Sequence, residues 1–418
     1  MTSLPTTTAG PTPGCIYANQ IPNVSLTAPE DTLSVRAMEY NLQAEAKTQT
    51  AADGSTVTDA MRNERIYQVI AEHDPDVLAL LEVNYRWLEQ IDGVLTGEGG
   101  EYTAYGRAAY GAYHDEKQKA EIWDLTSLIL WKTEKYHLIQ KGTFWCSKVP
   151  DRVASAGWGN GLTGDLPRAI NWVILEDRET GAQFLFVAAH LDAKTAEIRA
   201  LSTELIKNQV AELAQGLPII VVGDFNCSDN SAAYDGIHGD TLYDARYLIP
   251  TYGDMTIFGT YNKFGANTDI PVRLPIDLCF VSPATVWVES ATMDCGFVDA
   301  DKSVYASDHN ATIFDLKLTK LHTVEPEPET TVPDSEVPTE PATEPTPEVT
   351  DTPTELVTGV MTEPNTESVG EIPTETIPAT TPDETDATTD GCGSVLSFLS
   401  VAFILPAAFC LLLKKQEE

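Results

Sequence analysis

The chain has 418 residues, 63 acidic and 26 basic, with a formal net charge of −37. At 42% hydrophobic and 21% charged it has a globular composition, which excludes collagen-like, coiled-coil and multi-pass membrane classes. A simple basic nucleic-acid binder is excluded too, because such proteins offset phosphate charge with Lys and Arg clusters.

Residues 1–32 read as an N-terminal linker or arm. They open on Thr, Pro and Gly and show no secretory apolar core. From 33 to 320 strands and helices alternate, the pattern of an α/β domain. Strands are expected at 33–38, 77–81, 127–131, 169–175, 184–189, 218–222, 276–281 and 312–318. Each is a short apolar or β-branched run between turn residues. Helices are expected at 60–72 and 196–214, where apolar residues recur at three- and four-residue spacing.

Residues 321–390 are different material, rich in Thr, Pro and Glu without periodicity. They hold 18 acidic residues and no Lys or Arg; the 28 residues beyond sum to zero, so removing 18 from −37 leaves −19 on residues 1–320. Such a segment buries nothing and stays extended, as a stalk or a disordered regulatory tail. Residues 391–413 are expected to form a transmembrane anchor, since 395–413 carry no charge and span about 28 Å as a helix. Lys414 and Lys415 follow, so the positive-inside rule places 414–418 in the cytoplasm and the folded domain outside the cell. A tail-anchored cytosolic enzyme ranks second. Of seven cysteines, Cys392 and Cys410 belong to the anchor. Cys279 lies in an apolar strand and reads as a buried thiol. No metal spacing such as C-x-x-C occurs, and no disulfide pairing can be deduced.

Five segments place polar residues at or near strand ends, where α/β proteins build sites. They are Tyr40-Asn41-Leu42, Leu81-Glu82-Val83, His190-Leu191-Asp192 and Gly223-Asp224-Phe225-Asn226. The fifth joins Asp277 to Ser307-Asp308-His309. Each alone has an ordinary structural reading, such as a turn cap, a solvated carboxylate or a core histidine.

In this order the five segments resemble the endonuclease/exonuclease/phosphatase superfamily, the deoxyribonuclease-like hydrolases. The likeness covers about residues 33–319. It also includes Arg65 before "DPDVLALLEV", then "FWCSKVP", "LPRAINWVILED" and "GTYNKFG". Three positions depart from the family pattern: Leu81 stands where Gln is frequent, Leu278 where an aromatic follows the aspartate, and Cys227 where proline is common.

The resemblance implies a four-layer α-β-β-α sandwich of two packed β-sheets flanked by helices. It implies Mg²⁺, with Mn²⁺ as a substitute, held by Glu82 with Asn41 and Asp308. His309 would be the general base and Asp277 its orienting partner. Asp224 and Asn226 would position the nucleophile and a phosphate oxygen. His190 would hydrogen-bond the phosphate or protonate the leaving oxygen. Arg168 is a candidate substrate contact, with Asp192 behind. The expected function is hydrolysis of a phosphoester by a monomer tethered to the cell membrane. Nucleic acid, nucleotide, phospholipid and inositol phosphate all remain open as substrates, though the −19 domain disfavours long polyanions. Tyr102, Tyr105, Tyr110 and Tyr113 with Arg107 offer a candidate aromatic loop for bases or lipid. The alternative function is an inactive surface binding protein on the same fold.

Overall fold

The computed structural model describes residues 24–44, 49–50, 54–115, 124–159, 161–164, 166–250, 257–267, 274–298 and 304–322. All of them lie in the first of the chain's two units, Met1–Ser335. The expected stalk and anchor, at 321–390 and 391–413, lie almost wholly outside the described residues. Among the described residues no helix is long and apolar enough to cross a membrane.

The first half holds β1 (Thr32–Asn41), β2 (Gln49–Thr50), β3 (Thr56–Val57), α1 (Asp59–His73), β4 (Val77–Val83), α2 (Tyr85–Ile91), β5 (Tyr102–Tyr105), β6 (Thr126–Lys132) and β7 (Tyr136–Trp145). Then come β8 (Gly157–Gly159), β9 (Leu162–Thr163), β10 (Ala169–Asp177), β11 (Gln183–His190), α3 (Ala196–Ala214), β12 (Ile219–Asp224) and α4 (Ala232–Ile237). The chain closes with β13 (Tyr243–Asp244), β14 (Asp277–Val281), β15 (Val286–Asp294) and β16 (Ala311–Thr319).

Twelve of these strands form two six-stranded mixed sheets, ordered β15-β16-β1-β4-β6-β5 and β13-β14-β12-β11-β10-β7. Within them β1 and β4 are parallel, as are β11 and β12, and the other pairings are antiparallel. The inner faces meet in one apolar core that includes Val35, Ala37, Val77, Ala79, Phe184, Phe186, Ile220, Val222 and Phe314. Period-two alternation sends the intervening residues outward. On the first sheet Met38, Tyr40, Leu78 and Leu80 face outward and pack with Ile66, Val69 and Ile70 of α1. On the second, Leu185, Val187, Ile219 and Val221 pack with Ile206 and Val210 of α3 and Tyr234 of α4. This is the expected four-layer sandwich. Each fully buried aliphatic side chain contributes roughly 1.5–3 kcal/mol of transfer free energy.

Helix α3 has the expected bounds, and α1 exceeds expectation by one residue at each end. Thr58 caps α1 by accepting from the Met61 N–H, and Asp74 ends it in a left-handed conformation just before Pro75. Strand β1 runs three residues past its expected end, so Asn41 lies inside it. Tyr102 and Tyr105 are buried in β5 and do not belong to an exposed aromatic loop. Tyr110 and Tyr113 are exposed, and the Arg107 guanidinium stacks on Tyr113 at 4.6 Å. Cys146, Cys227, Cys279 and Cys295 are free thiols, with Cys279 buried.

Candidate active site

Strand parity builds the site. On β1 the inward row runs Val35, Ala37, Glu39, Asn41. On β11 the inward row ends at His190, on β12 at Asp224, and on β14 it begins at Asp277. Register sets His190 beside Asp224 and Asp224 beside Asp277 on neighbouring strands. Polar groups thus replace apolar ones at one end of the inter-sheet core. Gly223 permits this: a Cβ there would lie 1.9 Å from the Ala189 carbonyl oxygen, so no larger residue fits between β12 and β11.

Two site residues break the regular backbone. Glu82 has φ 57° and Asn226 φ 49°. Asn tolerates this left-handed region, whereas Glu there costs about 1–3 kcal/mol. The register between β4 and β6 shifts between Leu80 and Val83, which lets Glu82 leave the strand alternation. Its Oε2 accepts from the Ala44 N–H at 2.8 Å.

The groups from both sheets come together. Asn41 Nδ2 donates to Asp224 Oδ2 at 3.1 Å and lies 3.4 Å from Glu82 Oε1. His309 Nδ1 is 2.8 Å from Asp277 Oδ2, and its Nε2 is 3.8 Å from Asp224 Oδ2. His190 Nε2 is 3.6 Å from the same Asp224 oxygen. Asp224 Oδ1 accepts from the Asn226 N–H at 2.8 Å, and Asn226 Nδ2 donates to the Leu191 carbonyl at 3.1 Å. Asn226 therefore braces two loops. Ser307 Oγ donates to the Asn41 carbonyl at 2.6 Å, joining the β1 end to the Asp308-His309 loop. Arg168 and His190 line one small cavity with Leu166 and Ala109. Asp192 Oδ1 accepts from the Lys194 and Thr195 N–H groups, so it shapes the loop before α3.

The electrostatics are those of crowded, buried carboxylates. Burial and the neighbouring Asp277 push Asp224 up to about 7. Burial raises Asp308. Burial alone would lower His309, but Asp277 and Asp224 outweigh it and hold the imidazole well above its usual range. Burial, with Arg168 nearby, pushes His190 well below that range. A neutral His190 suits hydrogen bonding to phosphate better than protonation of a leaving oxygen.

Glu39 escaped sequence reasoning. It is fully buried, its Oε2 accepts from Thr312 Oγ1 at 3.1 Å, and burial with Asp277 raises it well above the usual carboxylate range. Its signal was parity: it stands two residues before Asn41 on an inward row. Tyr261, in the 259–265 segment, had no expected role at the site; its ring lies 5.0 Å from that of His309.

Two groups of donors could hold a divalent cation. Among the described residues Asp224, Asp277 and His309 offer ligand atoms within 4.8 Å of one another. The Glu82 carboxylate and the buried Asp308 Oδ1, which has no hydrogen-bond partner, offer oxygen donors of the kind hard cations take. Asn41 Oδ1 accepts from the Gln43 N–H at 3.0 Å and keeps a second lone pair for a cation.

The sequence matches the Endonuclease/Exonuclease/phosphatase family over residues 38–309, an interval that begins and ends within the elements carrying this cluster. The chain belongs to that family. A family protein from Bacteroides vulgatus is similar at 25% identity and a TM-score of 0.55, covering 69% of this chain and 100% of that one. A mannosyl-6-phosphatase from Bacteroides thetaiotaomicron is similar at 26% identity and a TM-score of 0.54, covering 68% and 99%. A protein from Enterococcus faecalis shares the fold at 19% identity and a TM-score of 0.54, covering 68% and 100%. A search of the curated proteins found no significant match.

Proposed function

We propose that this protein is a divalent-metal-dependent phosphoester hydrolase acting on small phosphorylated molecules, phosphosugars foremost. The observation that carries the reading is the buried His309–Asp277 pair, 2.8 Å apart, beside Asp224 and facing residues of the opposite sheet. A cation held by Glu82 and Asp308 would supply charge neutralisation and polarise a phosphoryl oxygen. Asp277 holds His309 by Nδ1; with a cation offsetting the carboxylates that raise the imidazole, Nε2 would be free to take the proton from an attacking water. Asp224, between His309 and His190, orients that water. His190 and Arg168 hydrogen-bond the phosphate, and Asn226 keeps the Asp224 loop in place. Displacement is in-line and needs no covalent intermediate.

Two observations favour small substrates. The solved relative described as a mannosyl-6-phosphatase is 26% identical over 68% of this chain. Residues 1–320 carry −19, which disfavours long polyanions. The complete His–Asp pair and carboxylate cluster argue against an inactive binding protein.

We also propose that the domain stands outside the cell as a monomer, on the Thr/Pro/Glu-rich stalk 321–390 and a single span at 391–413. The charge-free run 395–413 followed by Lys414 and Lys415 supports that orientation. Protease treatment of intact cells should release the domain; full protection would overturn this placement.

The purified protein should hydrolyse mannose 6-phosphate faster than plasmid DNA, RNA, nucleotides, sphingomyelin or inositol phosphates, with Mg²⁺, and stop on addition of EDTA. No turnover on any of these, or turnover indifferent to EDTA, would refute the reading.

A further inference from the structure

Three loops carry the groups on the first-sheet side of the site. One follows β1 at Asn41, one precedes β16 at Ser307-Asp308-His309, and one spans 259–265. Hydrogen bonds already tie the last two: the Asn262 and Lys263 N–H groups both donate to the Asp308 carbonyl, at 2.8 and 3.0 Å.

A single side chain reaches all three. Arg62 sits in the first turn of α1 and is 2% exposed. Its Nε donates to the Ala306 carbonyl at 2.7 Å, two residues before Asp308. Its Nη2 donates to the Leu42 carbonyl at 3.3 Å, one residue after Asn41. The guanidinium also lies over the Phe264 ring at 5.2 Å, and both Lys263 and Phe264 hold left-handed backbone, each with φ 53°. Asp59 Oδ1 is 3.8 Å from Nη1, farther than either carbonyl and beyond hydrogen-bond length. A guanidinium is costly to bury and is retained where a rigid planar fork must reach several acceptors at once.

We propose that Arg62 is a positioning residue that fixes the separation of the Asn41 and Asp308 loops, and through it the cation-binding geometry of the site. The inference rests on the hydrolase reading above. The Arg62 bonds to the Ala306 and Leu42 carbonyls fall on backbone beside the site residues, so it acts through them. Lysine at this place keeps the charge but has no planar fork to hold two carbonyls 264 residues apart in sequence.

The test compares Arg62→Met and Arg62→Lys with the wild type in the full-length protein. Two readouts are taken: steady-state kinetics on mannose 6-phosphate, and the Mg²⁺ concentration giving half-maximal rise in melting temperature, which needs no substrate. Both variants should lose about 10- to 100-fold in kcat while KM changes less than about threefold, the split expected when only transition-state geometry suffers. Both should also need about tenfold or more Mg²⁺ for half-maximal stabilisation. Wild-type kcat and Mg²⁺ response in folded Arg62→Met would overturn the inference. If that variant does not fold, Arg62→Lys decides: full rescue by lysine would show that the charge, not the fork, matters, and would overturn it too. A wild-type protein that hydrolyses nothing but is stabilised by Mg²⁺ would sink the hydrolase reading alone. The Mg²⁺ comparison would then still decide Arg62. A wild type with no Mg²⁺ response would overturn both.

Discussion

Replacing Asp277 by Asn removes one charge at almost constant volume. The side chain is fully buried, and its Oδ2 lies 2.8 Å from His309 Nδ1. The charge is what holds His309 in the tautomer with Nε2 free and stabilises the imidazolium that forms as water is deprotonated. Two unit charges about 4 Å apart at an effective dielectric constant near 20 interact by about 4 kcal/mol. That is roughly a thousandfold in rate. The same exchange behind a catalytic histidine in serine proteases costs about ten-thousandfold, largely through the wrong tautomer. Asp277→Asn should therefore lower kcat by about three orders of magnitude. Mannose 6-phosphate turnover measures it. A variant that keeps a tenth of wild-type kcat would refute the reasoning.

Removal of cation ligands is separable from the His–Asp pair: Glu82→Gln and Asp308→Asn should abolish the Mg²⁺-induced rise in melting temperature, measured without substrate, while His309→Ala should keep it and lose turnover. Arg246 is buried between Asp244 at 2.5 Å and Asp229 at 3.3 Å. Arg246→Met takes the cation from two buried carboxylates that keep only hydrogen bonds, among them the Tyr234 and Tyr247 hydroxyls, and should cost about 3–5 kcal/mol in urea unfolding; a loss below 1 kcal/mol would contradict the network. Burial alone would raise Asp294, but the His73 side chain and the Gly296 N–H outweigh it and hold its pKa below the usual value. A depressed carboxylate stabilises the fold above its unfolded pKa, and that contribution is lost as pH falls through the lower folded value. Asp294→Asn should therefore lower stability at pH 7 and bring it closer to wild type at pH 2–3, in urea titrations at the two pH values.

Much of the fold and the site is legible in the chain, because the signals are local. Short apolar or β-branched runs beside polar residues marked β1, β4, β11, β12 and β16, and a three- and four-residue apolar spacing marked α1 and α3. The motifs at Asn41, Glu82, Asp224 and His309 could be read because each is contiguous in the chain. The expected second sheet, its partner and the outer helices were inferred from resemblance; alternation alone requires only an α/β domain. Helices α2 and α4 and the short edge strands β5 and β13 were not expected, since seven residues or fewer leave little periodicity to count. The longer β7 and β15 were not expected either, because polar residues interrupt their apolar runs.

Tertiary structure decided what the charges do. Glu39 looks like any strand carboxylate until β14 and β16 bring Asp277 and Thr312 against it. Arg65 drew attention in the sequence, yet it pairs with Glu72 on α1, and Arg62, one turn earlier, is the buried cation. Tyr102 and Tyr105 became core residues because β5 pairs with β6 at the sheet edge. In each case identity and spacing fix only the neighbours along one element. Burial, and with it the pKa shifts and the hydrogen bonds that join the site's elements, depends on which residues the two sheets bring together from 32 to more than 200 positions away.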